Sequence, residues 1–441
     1  MKRVKNIKYP LNIYLISKYK PILNVLTGIV DSDIAIANNR YRLPFYTVSA
    51  TLPHYEKLFI STKTEIRNHI AGVGLTFEEA FTKLIGEIVE RYSLIAGFQK
   101  HMKNVEYYTY RELERKGEDV IPFEYLVLYT DYQYSLTGLY KPTKEMALGW
   151  IKCPSLLYPK KEIYVPAQIF MGYQLHNNEK LILISTSNGA AAHTDIKSAL
   201  THAILEYIER NNFMIKWYTL TPSPEISVDN EELNNIIKNS SYNIKFVDFF
   251  LPDMPVHTVG AFIKNRYNKF PYILFGLRAS LNPLYAIYGA LAEAASGLAY
   301  ADFAIGRFIN NVDSIINDKT LFLDLDSNVA RWLLPTEISR KNNILNQLIQ
   351  GKINLSDISN GKNYISIEDQ IYELISYLRK ISKYSTFLDI TSPEIAELGF
   401  SVVKVYIPEL VDLALPSLPP SKHPLLVKYG GVKNEYPHLL P

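Results

Sequence analysis

Two twelve-residue segments of the chain align with each other without a gap and carry the same acidic pattern, ExxER. They are TKLIGEIVERYS at 82–93 and THAILEYIERNN at 201–212. Glutamates three positions apart lie on adjacent turns of an α-helix, about 60° apart round its axis, so both carboxylates face one side. The repeat therefore predicts two helices, each presenting a pair of carboxylates. The pairs are Glu87 with Glu90 and Glu206 with Glu209.

The same pattern has a simpler interpretation. Each ExxER places its first glutamate four positions before an arginine, Arg91 or Arg210, and such pairs are common on solvated helix faces, where each contributes about 0.2–0.5 kcal/mol. The repetition, and the apolar neighbours Leu205 and Phe213 of the second pair, favour carboxylates beside buried surface, which need cations as partners. Oxygen ligands from several helices suit Mg²⁺, whose other ligands are usually waters and phosphates.

A third helix, predicted from about 283 to 303, carries Glu293 among small residues. Small side chains at this density allow a neighbouring helix, or a flat ligand such as a nucleotide, to come close, and both interpretations stay open. Ahead of the second acidic helix, Ser187, Asn188 and Gly189 form a turn that is expected to lead into the helix N-terminus. Helix N-termini favour anions, so this turn is a candidate anion site.

Helices and strands follow each other without regular alternation, which favours an α+β fold over a doubly wound parallel sheet. The first helix is predicted at 74–98, opened by a capping box of Thr76 and Glu79, and the second at 194–218. Strands are predicted at 162–170, 181–185, 245–249, 259–263, 272–277, 386–390 and 402–407. The Asp-rich and Asn-rich segments around 310–365 are interpreted as connections with a short helix or two. The chain contains neither GxxxxGK[ST] nor a GxGxxG that follows a strand, so a nucleotide would not bind on a Gly-rich loop.

Composition excludes several classes of protein. With 441 residues, 47% hydrophobic and 21% charged, the chain is typical of a globular protein. A net charge of +3 argues against a nucleic-acid binder. The N-terminal apolar stretch is too short for a signal peptide, and no run of about 18 apolar residues predicts a membrane span. The single cysteine, Cys153, cannot form an internal disulfide, which favours a cytoplasmic location.

Candidate nucleophiles are few. Cys153, between Lys152 and Pro154, is interpreted as a structural thiol. His193 and His202 lie near the second acidic motif; metal ligation is open, but a satisfied or surface histidine is the favoured interpretation. The sequence shows no persuasive catalytic triad.

The acidic motifs resemble the signatures of the YcaO family. GVGLTFEEAFTKLIGEIVERYS at 72–93 resembles its first signature, and STSNGAAAHTDIKSALTHAILEYIERNNF at 185–213 its second. Glu293 stands where the family's third acidic helix lies. FLDITSPE at 387–394 and VVKVYIPEL at 402–410 resemble the closing strands.

The resemblance also predicts the organisation of the chain: an N-terminal strand and loop region at 1–64, a YcaO domain at 65–410 and a Pro-rich tail at 411–441. Within the family, several segments are most similar to the D proteins of streptolysin S-type toxin biosynthesis. They are IPFEYL at 121–126, WIKCPSL at 150–156, EIYVPAQ at 162–168, LDLDSNV at 323–329 and KYGGV at 428–432.

The resemblance implies a YcaO-type fold with mixed sheets and acidic helices that line an ATP cleft. By position, the implied Mg²⁺ and phosphate ligands are Glu87, Glu90, Glu206, Glu209 and Glu293. The further implied nucleotide contacts are Arg91, Arg210, Ser187 and Asn188. Three positions depart from the family pattern, with Lys83, Gly289 and Ser296 standing where many members have Ser, Arg and Gln, so contacts around the third helix must differ.

The implied activity is ATP-dependent cyclodehydration. A Cys, Ser or Thr side chain of a ribosomal precursor peptide attacks the preceding carbonyl, ATP phosphorylates the resulting oxygen, and loss of phosphate leaves a thiazoline or oxazoline. Implied partners are the peptide, an E1-like leader-binding C protein and a flavin-dependent dehydrogenase B protein, within a synthetase that makes a toxin or bacteriocin. A homodimer is compatible with this expectation.

The chain ends in PHLLP, which resembles the family's PxP ending except that Leu439 replaces a proline. The terminal carboxylate of Pro441 is therefore a candidate catalytic base. Two alternatives stay open: a thioamide-forming YcaO enzyme that uses sulfide, and a non-catalytic scaffold subunit. The two intact ExxER pairs argue against the scaffold.

Overall fold

The computed structural model describes residues 17–24, 28–31, 34–37, 43–55, 69–176, 178–252, 254, 256–308, 325–358 and 366–440. Outside these residues lie the basic N-terminal tip, the parts 310–324 and 359–365 of the predicted connection, the first two residues of LDLDSNV and the candidate base Pro441. Among the helices described, none is long and apolar enough to cross a bilayer.

The described residues form helices and strands in mixed order. The helices are α1 Lys20–Leu23, α2 Phe77–Ile95, α3 Tyr110–Lys116, α4 Asp131–Thr137, α5 Ile196–Thr219, α6 Glu231–Asn239, α7 Pro283–Phe308, α8 Leu325–Leu333, α9 Ile338–Leu348, α10 Leu355–Ile358, α11 Ile367–Ile381, α12 Pro393–Glu397 and α13 Pro424–Lys428. Short 3₁₀ helices span Gly97–Asn104, Phe123–Tyr125 and Ala167–Ile169.

The strands pair into separate sheets. They are β1 Ala35–Ala37, β2 Tyr46–Thr51, β3 His69–Gly74, β4 Glu106–Thr109, β5 Ala147–Pro154, β6 Glu162–Pro166, β7 Ala190–His193, β8 Ser223–Ser227, β9 Tyr242–Asp248, β10 His257–Asn265, β11 Ile273–Ser280, β12 Ile349–Asn354, β13 Thr386–Asp389 and β14 Ser401–Tyr406. The sheet orders are β1-β2-β3, β4-β5-β6, β13-β14-β7 and β11-β10-β9-β8-β12. All pairs are antiparallel except β8 with β12, which gives the predicted α+β class.

The first acidic helix, α2, begins where the sequence predicts. The Thr76 hydroxyl accepts from the backbone N–H of Glu79 at 3.2 Å, and the Glu79 carboxylate accepts from the N–H of Leu75 at 2.8 Å. The Glu79 side chain thus bonds the backbone of Leu75, the residue before the N-cap, whereas in a capping box it would bond the backbone of the N-cap itself. Leu84 and Ile88 lie on the buried face of α2, which packs on β3 and β2. The opposite arc of the helix carries Glu87 and Glu90, which are partly exposed and face a cleft.

The other two acidic helices pack on neighbouring sheets. Asp195 caps α5 by accepting from the N–H of Ser198 at 2.8 Å. Helix α5 packs against β14, β7 and β11, and α7 against β11 and β10. Because α2 also contacts β7 and β14, the three acidic helices come together around these two sheets.

Three local predictions are wrong. Residues 181–185 form no strand, because their polar groups bond elsewhere: the N–H of Ile182 donates to the Gln168 side chain and the carbonyl of Leu181 accepts from Tyr140. The strand predicted at 162–170 ends at Pro166, where a 3₁₀ turn follows. Strand β12 lies in a stretch interpreted as connection and short helices, since it forms only by pairing with the distant β8.

The C-terminal tail packs on the second half of α5. The indole N–H of Trp217 donates to the carbonyl of Tyr436 at 3.0 Å. The Asn328 amide donates to the carbonyls of His438 at 2.6 Å and Leu440 at 3.1 Å. His438 and Leu440 are almost fully buried. The tail therefore belongs to the hydrophobic core, and the domain boundaries at 64 and 410 stay a prediction.

Candidate functional site

The glutamates of α2 and α5 face each other across a cleft. Glu87 accepts from Arg91 Nε at 2.8 Å. Burial, and then the charges of Glu87 and Glu206, raise the pKa of Glu90 well above its ordinary value. Burial also raises the pKa of Glu206, although Arg210 and Arg91 oppose this effect. The i,i+4 ion pair of the simpler interpretation is therefore present in α2, where Arg91 and Glu87 are 32% and 30% exposed, but the crowding of Glu90 and Glu206 is not typical of a freely solvated face.

Arg210 lies at the centre of the second acidic group. Its Nη1 is 3.4 Å from Glu209 Oε1, and its Nη2 is 3.9 Å from both Glu206 Oε1 and Glu293 Oε1. At these distances the groups form ion pairs, but the contacts are too long for good hydrogen bonds. Arg210 Nε and Nη1 are buried without a hydrogen-bond partner in the described part of the chain. Such buried donors cost free energy unless an acceptor reaches them.

Two of the predicted ligands are held by strand β11. Glu209 Oε2 accepts from the N–H of Ala279 at 2.7 Å, and Glu293 Oε2 accepts from the N–H of Leu277 at 3.0 Å. Strand β11 is an edge strand, so the two carboxylates satisfy amides that pair with no neighbouring strand. Burial raises the pKa of Glu209 to about 8, with Arg210 acting to lower it and Glu293 acting to raise it further.

The cluster fits a divalent cation with phosphate ligands. Among the described residues, no three Asp, Glu, His or Cys side chains converge on one metal position. A bound cation would nevertheless relieve the crowding of Glu90 and Glu206. Mg²⁺ is usually bound by one or two carboxylates plus waters and substrate phosphates. The buried donors of Arg210 suit those phosphates, so the residues present match Mg²⁺ with a nucleotide.

The turn at 185–189 differs from the expectation. It leads into strand β7, which pairs with β14 and separates the turn from the start of α5, so the predicted helix N-terminal anion site is wrong. Asn188 is buried, and its Nδ2 donates to Asp412 Oδ1 at 2.5 Å. Ser187 is partly exposed, and its carbonyl accepts from the N–H of Ala190 at 3.0 Å. Nucleotide contacts by Ser187 and Asn188 stay a prediction.

Sequence reasoning missed Lys404 on β14. Its ammonium is buried and donates to the carbonyls of Thr186, at 2.8 Å, and Asn188. Burial lowers the pKa of Lys404, while Asp412, Glu206 and Glu90 act to raise it. A lysine inside the alternating apolar strand VVKVY was the available signal. Lys404 is thus a cation directly behind the acidic cluster.

Arg278 was also missed, and it explains one departure from the family pattern. A Cβ at Gly289 would lie 2.6 Å from Arg278 Cγ, so the missing side chain on α7 makes room for an arginine from β11. The Arg278 charge acts to lower the pKa of Glu209. At the other two departures, Ser296 donates to its own helix at the carbonyl of Glu293, 2.6 Å away, and Lys83 pairs with a glutamate on its own helix.

Replacing Gly289 by alanine should push the Arg278 side chain away from its place near Glu209. Nucleotide binding should then weaken by about tenfold, as expected if one charged hydrogen bond from Arg278 to a phosphate is lost. Stability should not fall, because alanine is favoured over glycine in a helix by about 0.5–1 kcal/mol. Gly86→Ala, where an added Cβ on α2 meets nothing within 4 Å, gives the stability change of the helix preference alone. Unchanged nucleotide affinity in Gly289→Ala would exclude Arg278 from the site.

The remaining candidates are one cysteine and two histidines. Cys153 is fully buried in β5, and burial raises the pKa of its thiol, as expected for a structural thiol. The rings of His193 and His202 lie 5.7 Å apart. Burial, then Arg278 and His193, lower the pKa of His202 to about 4, so its imidazole is neutral near pH 7.

An α+β fold that gathers carboxylates from three helices and arginines from two of them and from strand β11, and uses no Gly-rich loop, defines a class of acidic nucleotide-binding clefts. A family model described as YcaO cyclodehydratase, ATP- and Mg²⁺-binding, matches residues 71–411. The chain belongs to the YcaO family, as its motifs predict. No match was found among curated proteins.

Solved structures share this fold. A heterocyclase in complex with substrate and cofactor has a TM-score of 0.71 at 18% identity over 96% of this chain; the chain spans 55% of that heterocyclase. The YcaO protein from Methanopyrus kandleri bound with AMPPCP and Mg²⁺ has a TM-score of 0.64 at 18% identity, covering 96% of this chain and 93% of that one. The E. coli microcin synthetase McbBCD complex has 0.56 at 16% identity, covering 86% and 88%. The predicted YcaO-type fold is confirmed.

Proposed function

We propose that the protein is an ATP-dependent cyclodehydratase that converts Cys, Ser or Thr of a ribosomal precursor peptide to thiazoline or oxazoline. The observation that carries this proposal is Arg210, whose buried Nε and Nη1 have no hydrogen-bond acceptor among the described residues, although three carboxylates lie at ion-pair distance. Membership of a family described as ATP- and Mg²⁺-binding cyclodehydratases supports the same conclusion. The cleft has the ligands for a metal–phosphate group, and the nucleophile is a side chain of the peptide.

The residue roles follow from charge and position. Mg²⁺ is held by carboxylates of the three acidic helices, from among Glu87, Glu90, Glu206, Glu209 and Glu293. Arg210 and Arg91 bind phosphate oxygens, with Arg278 beside them. When bound, ATP supplies the phosphoryl group that makes the amide oxygen of the peptide a leaving group. The chain contributes alignment and charge neutralisation, which are the main demands of phosphoryl transfer.

The partners are part of the proposal. The McbBCD neighbour is a complex, which supports a chain that works with an E1-like leader-binding protein and a flavin-dependent dehydrogenase. The streptolysin S-type segments favour a toxin or bacteriocin as the final product. We place the protein in the cytoplasm, where its single thiol stays reduced.

Removing Pro441 alone tests the terminal carboxylate as a base. Removing all of 437–441 would leave the buried Asn328 amide without its acceptors His438 and Leu440, so loss of activity would follow from loss of structure. If the carboxylate of Pro441 acts as a base, its deletion lowers the ring-formation rate by about 10²–10⁴-fold with an unchanged melting temperature. An unchanged rate would exclude that role.

Mass spectrometry of the product tests the proposed function. The protein is incubated with Mg-ATP, peptides encoded beside its gene and its peptide-binding partner, and ADP release is followed in parallel. Cyclodehydration removes one water per ring with one ADP formed. Replacement of oxygen by sulfur when sulfide is added would show thioamide formation instead. If rings form equally well without this chain, the chain is a non-catalytic scaffold.

A further inference from the structure

A small cavity lies behind the acidic cluster, on the far side of Lys404. Its walls come from the segments 125–129 and 183–186, from Tyr207 on α5 and from 404–414. The cavity, here called the Lys404 cavity, encloses about 60 Å³. That volume holds roughly four waters, which leaves room for a leucine-sized side chain.

The cavity combines apolar walls with one buried pair of opposite charges. Tyr129, Leu183 and Ile184 are among the apolar and aromatic lining residues. Lys404 and Asp412 supply the charges. With two of its protons given to carbonyl oxygens, the Lys404 ammonium keeps a third donor.

A second observation is the buried hydroxyl of Tyr207. In the described part of the chain it makes no well-aligned hydrogen bond, although the Asp412 carboxylate and the backbone of Ile407 lie within reach of it. Buried polar groups are normally satisfied. A peptide amide would satisfy this set, because its carbonyl accepts from Lys404 or Tyr207 while its N–H donates to Asp412. A phosphate would be repelled by Asp412, and no arginine lines the cavity.

The cavity lies beside the acidic cluster. Tyr207, which lines the cavity, follows Glu206 on α5, and the charge of Lys404, which also lines it, acts on both Glu90 and Glu206. Ala414 lines the cavity, and its carbonyl is 2.8 Å from His438 Nε2 on the C-terminal tail. A peptide residue in the cavity would therefore lie next to the phosphates and next to the end of the chain.

We propose that the Lys404 cavity binds an apolar residue of the substrate peptide adjacent to the residue that is cyclised, with its backbone amide between Lys404 and Asp412. This inference rests on the proposed function and names where the peptide meets the nucleotide cleft. The cavity selects for an apolar neighbour, since a charged side chain would lose its hydration among the tyrosines and leucines.

Disulfide capture tests the proposal without requiring turnover. Ile184 and Leu181 are both 38% exposed and lie in one segment, but only Ile184 lines the cavity. Each is changed to cysteine, giving the variants Ile184→Cys and Leu181→Cys. The native Cys153 is buried and does not react with the probes. The probes are acetyl-Leu-Cys-Gly-amide and acetyl-Gly-Cys-Gly-amide, each as a mixed disulfide with cysteamine. The introduced thiolate attacks the probe sulfur, and cysteamine leaves with the proton.

At Ile184→Cys the leucine probe should be captured at least about tenfold more than the glycine probe, because only it buries an apolar side chain. At Leu181→Cys the two probes should be captured equally. Equal capture at Ile184→Cys, or a leucine preference at both positions, would overturn the proposal. Loss of capture on adding AMPPCP and Mg²⁺ would assign the cavity to the nucleotide and would also overturn it.

The failure of this inference can be told apart from failure of the proposed function. Binding of Mg-AMPPCP to the unmodified protein, measured separately, tests the nucleotide cleft and does not involve the cavity. Nucleotide binding without probe selectivity would reject the Lys404 cavity alone. Probe selectivity without nucleotide binding would reject the ATP-dependent activity, and with it the assignment of the bound peptide as a substrate.

Discussion

Glutamine in place of Glu90 is expected to abolish Mg²⁺-dependent nucleotide binding while leaving the fold at least as stable. The partly buried Glu90 carboxylate is opposed by Glu87 and Glu206, so an uncharged amide of the same shape removes repulsion in the nucleotide-free protein. The same change removes a proposed metal ligand, and affinity should fall by at least about 100-fold. Stability and function thus change in opposite directions, as is common at binding sites.

The matched control is Glu79→Gln on the same helix. Glu79 is 43% exposed, pairs with Lys83 and lies outside the cleft. Its replacement should leave nucleotide affinity unchanged and cost a little stability, since the Glu79 carboxylate also accepts from the N–H of Leu75. Thermal melts and binding of a fluorescent ATP analogue measure both effects. A Glu90→Gln variant that binds Mg-nucleotide like the wild type would remove Glu90 from the site.

Binding of Mg-nucleotide should release protons and should strengthen as pH rises from about 6 to about 9. The pKa values of Glu90 and Glu206 are raised, foremost by burial, and that of Glu209 is about 8. Glu209 therefore holds its proton near neutral pH and must lose it to meet a cation, and the raised pKa values of Glu90 and Glu206 act in the same direction. Each proton released changes the affinity by about tenfold per pH unit.

The sign for stability is the reverse in the nucleotide-free protein. A carboxyl whose folded-state pKa is raised binds its proton more tightly when folded, so stability is greatest below its unfolded pKa and falls as pH rises towards the folded pKa, about 8 for Glu209. Calorimetry in buffers of different ionisation enthalpy counts the protons. Glu209→Gln should lower the count, and a wild-type count of zero would contradict the account.

The acidic helices could be predicted because their signals are local. The repeated ExxER pattern, the Thr76 cap and the apolar arcs are contained in short segments, and helix start, face and carboxylate direction follow from them. The missing Gly-rich loop likewise indicated that any nucleotide is held by helices. Fold class and family followed from the same segments.

The rest of the site depends on contacts between distant parts of the chain. Arg278 enters the cleft because β11 packs under α7 and Gly289 leaves space; no pattern near residue 278 indicates this. Lys404 is recognised as a site residue only when β14 is seen beside α5. The error at 185–189 has the same cause, since strand β7 exists only by pairing with β14.

The most direct test of the nucleotide cleft is a crystal structure of this chain with AMPPCP and Mg²⁺. We predict phosphate oxygens within hydrogen-bond distance of Arg210 Nε or Nη1, and a metal bound by carboxylates of α2 and α5. A nucleotide bound elsewhere, or an Arg210 that still faces only Glu206, Glu209 and Glu293, would contradict the account.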